Sequence, residues 1–352
     1  MKILVVGDGH SAIHEVAVVA AFKKLGHEVE SFFWQDYFKS RNPIGRLWRR
    51  AQNKFLIGPT FNKLNRDLIR KAFQFEPKLI FIYRGTHIVS TTIVALKQAF
   101  PDCKIFGYNN DDPFADGHPF WLWRHFLKSV PVYDLVFAYR HHNLDDFLKL
   151  GAKRVELLRS WFLPELHGVS IEKKHPYKSD CIFVGHYEND GRAECLEALL
   201  SSGVQVQLFG PYHGLKNSGW HAPIEKSKSL KALLPVSYLK GKDYSDAVGS
   251  APIALCFLSK LNKDTYTRRC FEIPAIGAAL FSEYSDDLAS IFIEDEEAVF
   301  FKNKDELVAK VKYYLSNRDK LNLICARGQQ RVIQDGHDIY SRLNDVVKMV
   351  EL

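Results

Sequence analysis

Short apolar runs rich in β-forming residues alternate with helical patterns along almost the whole chain, and this alternation most constrains the fold. "KILVVGDG" is such a run, and "SAIHEVAVVAAFKKLG" after it has the apolar spacing of a helix that ends at Gly26. Further strand-like runs are "HEVESFFW", "PKLIFIYRG", "CKIFGYNND", "YDLVFAYR" and "RVELLRSW". Strands that alternate with helices predict βαβ units and a mostly parallel sheet.

The alternation stops once and then restarts. Residues 162–179, "FLPELHGVSIEKKHPYKS", are polar and poorly periodic, which is typical of a linker. Beyond them the strand-like runs are "DCIFVGHY", "VQVQLFG", "APIALCFLS" and "AALFSEY". A chain of 352 residues is also too long for one typical core. The sequence therefore predicts two α/β domains, at 1–165 and 178–335, and a C-terminal helix within 336–352 that could pack back on the first domain.

Positive charge is concentrated in one segment. Residues 36–78 carry eleven Lys or Arg against three acidic residues, a balance of +8, whereas the whole chain carries +7. Aromatic residues lie between these charges. A basic segment of this kind is typical of contact with anionic lipid, a polyanionic acceptor or nucleic acid. The alternative interpretation is a solvated, partly helical surface.

The N-terminal apolar run is only five residues long, which argues against a signal peptide. No window approaches the roughly 20 apolar residues that a membrane-spanning helix needs. The six cysteines are scattered without a CxxC pair, so neither a disulfide framework nor a zinc site is expected. These features predict a cytoplasmic protein with reduced thiols.

Residues 263–284, "KDTYTRRCFEIPAIGAALFSEY", carry unusual charge between two apolar runs. If a helix begins near Thr267, then Arg268 and Glu272 are i,i+4 neighbours and Arg269 also lies one turn from Glu272. Such a helix starts at the carboxyl edge of the sheet, where open α/β sheets bind ligands. Free N–H groups and arginines suit phosphate oxygens, and a carboxylate suits ribose hydroxyls. The pattern predicts a sugar-nucleotide site; a purely intrahelical Arg–Glu pair is the alternative.

This stretch and the following "EDEEAVFFKNKDELVAKVKYYLSN" resemble the C-terminal half of GT-B glycosyltransferases, especially the CgeB-like or "glycosyl transferases group 1" branch, which is kin to the retaining family 4. The likeness covers roughly residues 178–335. In that family, two acidic residues in the spacing acid-x7-Glu bind the donor. The matching residues in this sequence are Asp264 and Glu272, and Asp264 replaces the usual first Glu. Arg269 matches the R-x-F-E signature, and Gly277 matches the small residue at the helix end. The resemblance implies a GT-B fold, with two Rossmann-like domains facing each other across a cleft.

The resemblance extends towards the N-terminus of this half. "CIFVGHYENDGRAECLEAL" matches the first strand, loop and helix of the donor domain. It implies that Gly185 and a basic residue, either Arg192 or His186, contact the diphosphate of the donor. The loop around Tyr238 and Leu239 corresponds to the region that meets the nucleobase.

The first half has its own strand-end loops. In "GDGHS", Gly7 and Gly9 allow a tight turn and, with His10, are expected to line the cleft. In "GYNNDDPFADGHPF", a cluster follows a strand where a general base or an acceptor-orienting group would lie. Its members are Asp111, Asp112, Asp116 and His118. A hydrophilic turn is the alternative interpretation.

Two further segments of the first half are candidates. Arg84 and His87 lie in "YRGTH" at another strand end. "FWLWRHFLKSV" is interpreted as an amphipathic helix that docks on lipid or on a hydrophobic acceptor, and the alternative is that it belongs to the core.

The resemblance implies a hexosyltransferase-like enzyme that moves a sugar from a nucleotide-diphosphate sugar to a hydroxyl of a glycan, lipid-linked or other acceptor. Asp112, His118 and Asp264 are its candidate catalytic residues. Retention of configuration is implied, and no metal and no cofactor beyond the co-substrate are expected. The expected partners are a nucleotide sugar, the acceptor and an anionic membrane at residues 36–78, with no nucleic acid. Two alternatives stay open: a sugar-nucleotide epimerase on the same fold, and a non-catalytic basic protein that binds nucleic acid or membrane.

Overall fold

The computed structural model describes residues 1–168, 178–214 and 218–351. The chain forms two compact units: Met1–Ser160 together with Ile339–Leu352, and Trp161–Asp338. Each unit contains one parallel sheet, as the alternation of strands and helices predicts. Within the described ranges, no helix has both the length and the apolar character needed to cross a bilayer.

The sheet of the first unit has six parallel strands in the order β2-β1-β3-β4-β5-β6. Its strands are β1 (Lys2–Gly7), β2 (Glu28–Phe33), β3 (Leu79–Tyr83), β4 (Lys104–Asn109), β5 (Leu135–Ala138) and β6 (Val155–Leu157). All six predicted runs of this half are confirmed as strands. Every residue of the central strand β3 is buried, which explains why its run is continuously apolar rather than alternating.

Helices flank this sheet. They are α1 (Glu15–Lys24), α2 (Pro43–Phe55), α3 (Pro59–Phe75), α4 (Ser90–Ala99), α5 (Arg124–Ser129), α6 (His142–Lys149) and α15 (Ile339–Lys348), with a 3-10 turn at Gln35–Phe38. Gly26 follows α1 with a φ of +85°, a left-handed conformation that suits glycine at a helix end. The C-terminal helix α15 packs on α1, where the ammonium of Lys24 lies 4.5 Å from the ring centre of Tyr340.

The sheet of the second unit has five parallel strands in the order β11-β10-β9-β7-β8. Its strands are β7 (Cys181–Val184), β8 (Val206–Phe209), β9 (Ile253–Cys256), β10 (Ala279–Glu283) and β11 (Val299–Phe301). The four predicted runs of this half are confirmed, and β11 is an additional strand of only three residues. This buried run was not predicted as a strand, and the structure pairs it with β10.

The helices of the second unit are α7 (Pro164–His167), α8 (Arg192–Ser201), α9 (His221–Lys226), α10 (Gly241–Val248), α11 (Arg269–Ile276), α12 (Asp286–Ile291), α13 (Lys304–Ser316) and α14 (Arg318–Gln334), with a 3-10 turn at Leu230–Leu233. The predicted linker, 162–179, is only partly described. Its residues 169–177 lie outside the described ranges, and its first part includes the short helix α7.

Both sheets reverse their strand order at the corresponding place. In the first unit the chain moves outward from β1 to β2 and then returns to place β3 on the other side of β1. In the second unit β7, β8 and β9 repeat this path. Open α/β sheets bind ligands beyond the carboxyl ends of the strands at such a reversal. We therefore expect ligand-binding residues in the loops after β1 and β3 of the first unit and after β7 and β9 of the second unit.

Candidate functional site

The loop after β7 and the loop after β8 touch through two glycines. The Gly185 N–H donates to the Phe209 carbonyl at 2.9 Å, and the Trp220 indole N–H donates to the Gly185 carbonyl at 2.8 Å. A Cβ atom on Gly210 would lie 2.1 Å from the Gly185 carbonyl oxygen. Because that neighbour is backbone, only glycine fits at Gly210, and the two loops approach closely at the edge of the sheet.

We expect Gly210→Ala to lower the free energy of unfolding by about 2–3 kcal/mol, because the backbone must shift to remove the clash. Gly191→Ala is the matched control in the same unit. Gly191 has a φ of +101°, and a Cβ added there would have no neighbour within 4 Å, so this variant carries only backbone strain of about 1 kcal/mol. Urea unfolding of both variants tests this. An equal or smaller loss for Gly210→Ala would contradict the close approach of the loops.

Arg192 begins α8 and is almost fully buried. Its guanidinium pairs with both carboxylate oxygens of Asp190, at 2.8 and 2.6 Å, and donates to the His186 carbonyl at 2.7 Å. This bidentate geometry fixes the loop between β7 and α8. The arrangement gives Arg192 a structural role, and its contact with a diphosphate stays a prediction.

Glu188 connects the two loops at the strand reversal. One carboxylate oxygen accepts from the Ser259 hydroxyl at 2.8 Å, and the other lies 2.6 Å from His186 Nε2. Burial raises the pKa of Glu188, but the His186 and Arg192 contacts outweigh burial, so the pKa is lowered and the group is ionised. The sequence pattern pointed to His186 but not to Glu188 or Ser259. The only signal was that each follows a strand closely.

The start of α11 holds the predicted Arg–Glu pair. Arg268 is the N-cap residue, and its Nε lies 2.6 Å from Glu272 Oε1, which is the intrahelical Arg–Glu pair of the alternative interpretation. Glu272 is only 3% exposed. Burial raises its pKa, but the neighbouring Arg268, His167 and Arg269 together outweigh burial and lower it. The Glu272 carboxylate is thus held as an anion in the interior.

The partners of Glu272 come from three helices. His167 Nε2 on α7 lies 3.8 Å from Glu272 Oε1. Tyr244 on α10 is close enough that burial and the carboxylate charge raise its pKa well above the usual value. The sequence pattern did not point to His167 or Tyr244, because their segments carry no motif. The ribose contact predicted for Glu272 stays a prediction.

The helix α11 ends sharply after two turns. Pro274 lies inside it, near its end, and Gly277 caps it with a φ of +91°. Space does not restrict Gly277, because a Cβ there would meet only the Gln329 side chain at an ordinary 3.6 Å. The backbone conformation therefore explains this glycine.

Asp264 and the predicted base-binding loop lie at the same edge. Asp264 is partly buried in the loop between β9 and α11, and its N–H donates to the Ser259 carbonyl at 2.9 Å. The Gly210 N–H donates to the Ser237 carbonyl at 2.9 Å, which brings Tyr238 and its neighbour Leu239 next to the end of β8. Tyr238 is 64% exposed. The structure places these residues at the edge, and their roles stay predictions.

In the first unit the glycine loop packs tightly after β1. A Cβ on Gly7 would lie 2.5 Å from Glu15 Cγ, and Gly9 has a φ of +81°. His10 Nδ1 lies 2.8 Å from an Asp8 carboxylate oxygen. Glu15 is 1% exposed, and neither of its carboxylate oxygens has a hydrogen-bond partner among the described residues. Burial raises its pKa.

The other candidates of this unit lie after β3 and β4. Arg84 has a φ of +64° and pairs with Asp111 at 2.5 Å. Asp112 is buried and accepts from the Phe114 N–H at 2.9 Å and from the Asn143 side chain at 3.1 Å. These bonds match the hydrophilic-turn interpretation of Asp112.

His118 lies elsewhere in the same loop, where its ring packs edge-on against Trp123 at 5.7 Å. The catalytic roles predicted for Asp112 and His118 stay predictions. Across the described ranges, no group of three or more His, Cys, Asp or Glu side chains is arranged to hold a metal ion.

Comparison with known proteins gives one family match, in the second half of the chain. Residues 192–348 match the model of a family described as glycosyl transferase-like. No curated protein sequence matches the chain. The matched segment contains α11 with its arginines and Glu272, the loop with Asp264, and the predicted base-binding loop.

Solved structures match the whole chain. The sucrose-phosphate synthase of Thermosynechococcus elongatus is 12% identical, with a TM-score of 0.71 over 99% of both chains. HepE from Anabaena in complex with UDP is 13% identical, with a TM-score of 0.67 over 100% of both chains. A Listeria monocytogenes protein assigned as a UDP-N-acetylglucosamine 2-epimerase is 11% identical, with a TM-score of 0.60 over 98% of this chain and 94% of that one.

The chain has the GT-B fold, with two Rossmann-like α/β domains. The family match in the second half and this fold together support a glycosyltransferase.

Proposed function

We propose that the protein transfers a sugar from a nucleotide-diphosphate sugar to a hydroxyl acceptor. The observation that carries this proposal is the ionised Glu272 beside two arginines at the start of α11, within the residues that match the glycosyl transferase-like family. HepE, which shares the fold, binds UDP and UDP-glucose. By analogy, the second unit of this chain would bind the donor, with the diphosphate near the N–H groups of α11.

In the proposed reaction, the bond between the anomeric carbon and the diphosphate oxygen breaks. A new bond forms to the acceptor oxygen, and the departing phosphate takes the acceptor proton. Arg269, whose pKa is raised because the nearby negative groups outweigh burial, stays charged and would stabilise the leaving diphosphate. The proposal includes retention, independence of metals and membership of the CgeB-like branch.

The proposed acceptor is a glycan or a lipid-linked glycan bound by the first unit. We further propose that residues 36–78 bring the protein into contact with an anionic membrane. The epimerase alternative would need acidic and histidine groups at the reacting sugar. Asp112 Oδ1 accepts from the Phe114 N–H and from Asn143, and Asp112 Oδ2 lies 3.1 Å from His142 Nε2, so this acidic group is paired within the first unit. Conversion of a donor sugar to its epimer without any acceptor would favour that alternative.

A thermal-shift screen against UDP-, GDP-, ADP-, TDP- and CMP-linked sugars tests the donor proposal. One nucleotide should raise the melting temperature by several degrees, because a ligand at about 100 times its Kd stabilises the folded state by about 2.7 kcal/mol. The matching nucleoside diphosphate without a sugar should give much of that shift. A flat response to the whole panel would contradict donor binding and favour the non-catalytic alternative.

A further inference from the structure

Helix α2 turns its apolar side chains outward. Ile44, Leu47 and Trp48 are 80%, 72% and 60% exposed, and Phe55 is 43% exposed. These positions follow the spacing i, i+3, i+4 and i+11, so they form one stripe about 16 Å long on the helix surface. The buried residue of α2 is polar Gln52. This is the reverse of a surface helix that packs its apolar face on a core.

The helix is nevertheless firmly held, by polar contacts. The side-chain oxygen of Gln52 accepts from the Thr60 N–H at 2.8 Å. Asn53 Oδ1 lies 2.7 Å from His87 Nε2. Arg124 donates to the last carbonyls of the helix, at Phe55 and Leu56, at 2.6 and 2.8 Å. The outward stripe is thus presented on a fixed support.

The loop before α5 extends this surface. Phe120 is 86% exposed, and the Trp121 ring lies 5.1 Å from the Phe120 ring and 5.6 Å from the Phe55 ring. The structure therefore joins two segments that are separate in the sequence, the basic segment and the start of "FWLWRHFLKSV". We call this surface the apolar patch; its residues are Ile44, Leu47, Trp48, Phe55, Phe120 and Trp121.

Positive charge borders the apolar patch. Arg46, Arg50 and Lys54 recur at intervals of four residues along the neighbouring face of α2, and all three are exposed. The sequence of α2 contains no acidic residue. Exposed apolar and aromatic side chains beside a row of basic ones are the pattern of a helix that lies in the headgroup region of an anionic bilayer.

We propose that the apolar patch is a docking site for an anionic lipid bilayer, with α2 lying parallel to the membrane surface. A nucleic acid would use the basic row but not the apolar stripe. A second copy of the chain that packed its α2 on this one would offer the basic row no acidic partner, because the sequence of α2 contains no acidic residue. A bilayer with anionic headgroups suits both features, because its acyl region can bury the apolar stripe while its headgroups pair with the basic row. The inference deepens the membrane contact of residues 36–78 and rests on that part of the proposed function.

Sedimentation of the full chain with vesicles tests the proposal. The protein should bind vesicles in which about one lipid in three is phosphatidylglycerol at least about tenfold more tightly than pure phosphatidylcholine vesicles. Leu47→Ser with Trp48→Ser should weaken binding to the anionic vesicles at least about tenfold. Arg46→Gln with Arg50→Gln should weaken it by a similar factor and reduce its dependence on salt.

The matched control is Leu323→Ser with Ile333→Ser on α14, where both side chains are also exposed, at 54% and 52%. It should bind vesicles as the unmodified protein does. Three results would overturn the proposal: no binding to anionic vesicles, unchanged binding by the Leu47 and Trp48 variant, or a dimer in solution that this variant dissociates. The nucleotide thermal-shift screen, run on the same variants, reports donor binding separately, so failure of docking is distinguishable from failure of the transferase proposal.

Discussion

Glu272→Gln is expected to weaken binding of the nucleotide sugar at least about 100-fold, because two charge-assisted hydrogen bonds to a ribose diol would lose the anion. The glutamine side chain has nearly the same shape, so the chain should still fold. Loss of the ion pair with Arg268 should cost about 1–3 kcal/mol of unfolding free energy. Calorimetric titration with the nucleotide found in the thermal-shift screen measures the binding.

Glu306→Gln is the matched control. Glu306 also pairs at i,i+4, with Lys310 at 3.1 Å, but this pair lies at the surface on α13. Its loss should change stability by less than about 1 kcal/mol and leave nucleotide binding unchanged. A folded Glu272→Gln variant with unaltered affinity would show that the carboxylate serves only the interior network with Arg268, His167 and Tyr244. Arg269→Ala should likewise abolish donor binding.

The second large effect concerns pH and the first unit. His87 is buried, its ring stacks on Trp34 at 4.9 Å, and its two nitrogens contact Thr86 and Asn53 at 2.9 and 2.7 Å. Burial, helped by the neighbouring His125 and Arg84, lowers the pKa of His87 to about 3. In the unfolded chain it is about 6.5.

The pKa of His87 is lower in the folded chain than in the unfolded chain. The free energy of unfolding is therefore at its full value above about pH 6.5 and decreases as the pH falls below that. The unfolded chain takes up a proton that the folded chain refuses, so the free energy of unfolding drops by about 1.4 kcal/mol per pH unit between about pH 6.5 and 3. From pH 7 to pH 5 the expected loss from His87 is about 2 kcal/mol.

His87→Gln should remove this part of the slope, although it lowers stability at pH 7 through the altered packing. Part of the slope should remain, since burial also lowers the pKa values of His125 and His167. His221→Gln, at an exposed position, is the control and should keep the full slope. Thermal unfolding between pH 7 and 5 measures all three proteins. Equal slopes in the His87→Gln variant and the control would refute the assignment.

Local patterns account for much of what could be predicted. Ten of the eleven described strands follow from apolar runs in the sequence, and a strand buried on both faces, such as β3, is apolar along its whole length. The pair between Arg268 and Glu272 follows from helical spacing alone, since i and i+4 side chains meet on any helix. The strand β11 was not predicted, and the structure shows that it pairs with β10.

Contacts between segments that are distant in the sequence could not be predicted from the sequence. Glu188 meets Ser259 across 71 positions because β7 and β9 are neighbours in the sheet, and strand order is not written in any single run. His167 and Tyr244 reach Glu272 for the same kind of reason. An arginine such as Arg192 is suited to bind a phosphate, but in this structure its guanidinium is paired with the carboxylate of the nearby Asp190.

Helix α2 separates most clearly what the sequence determines from what the tertiary structure determines. Its sequence shows that one face is apolar and another basic, because the spacing of side chains on a helix is fixed by 3.6 residues per turn. Which face packs inward depends on the rest of the fold. The polar bonds of Gln52, Asn53 and Arg124 hold the helix by its other side and leave Leu47 and Trp48 in solvent. The sequence therefore marked this segment as basic and interspersed with aromatic residues, whereas only long-range packing decided that the apolar face of its helix is turned to solvent.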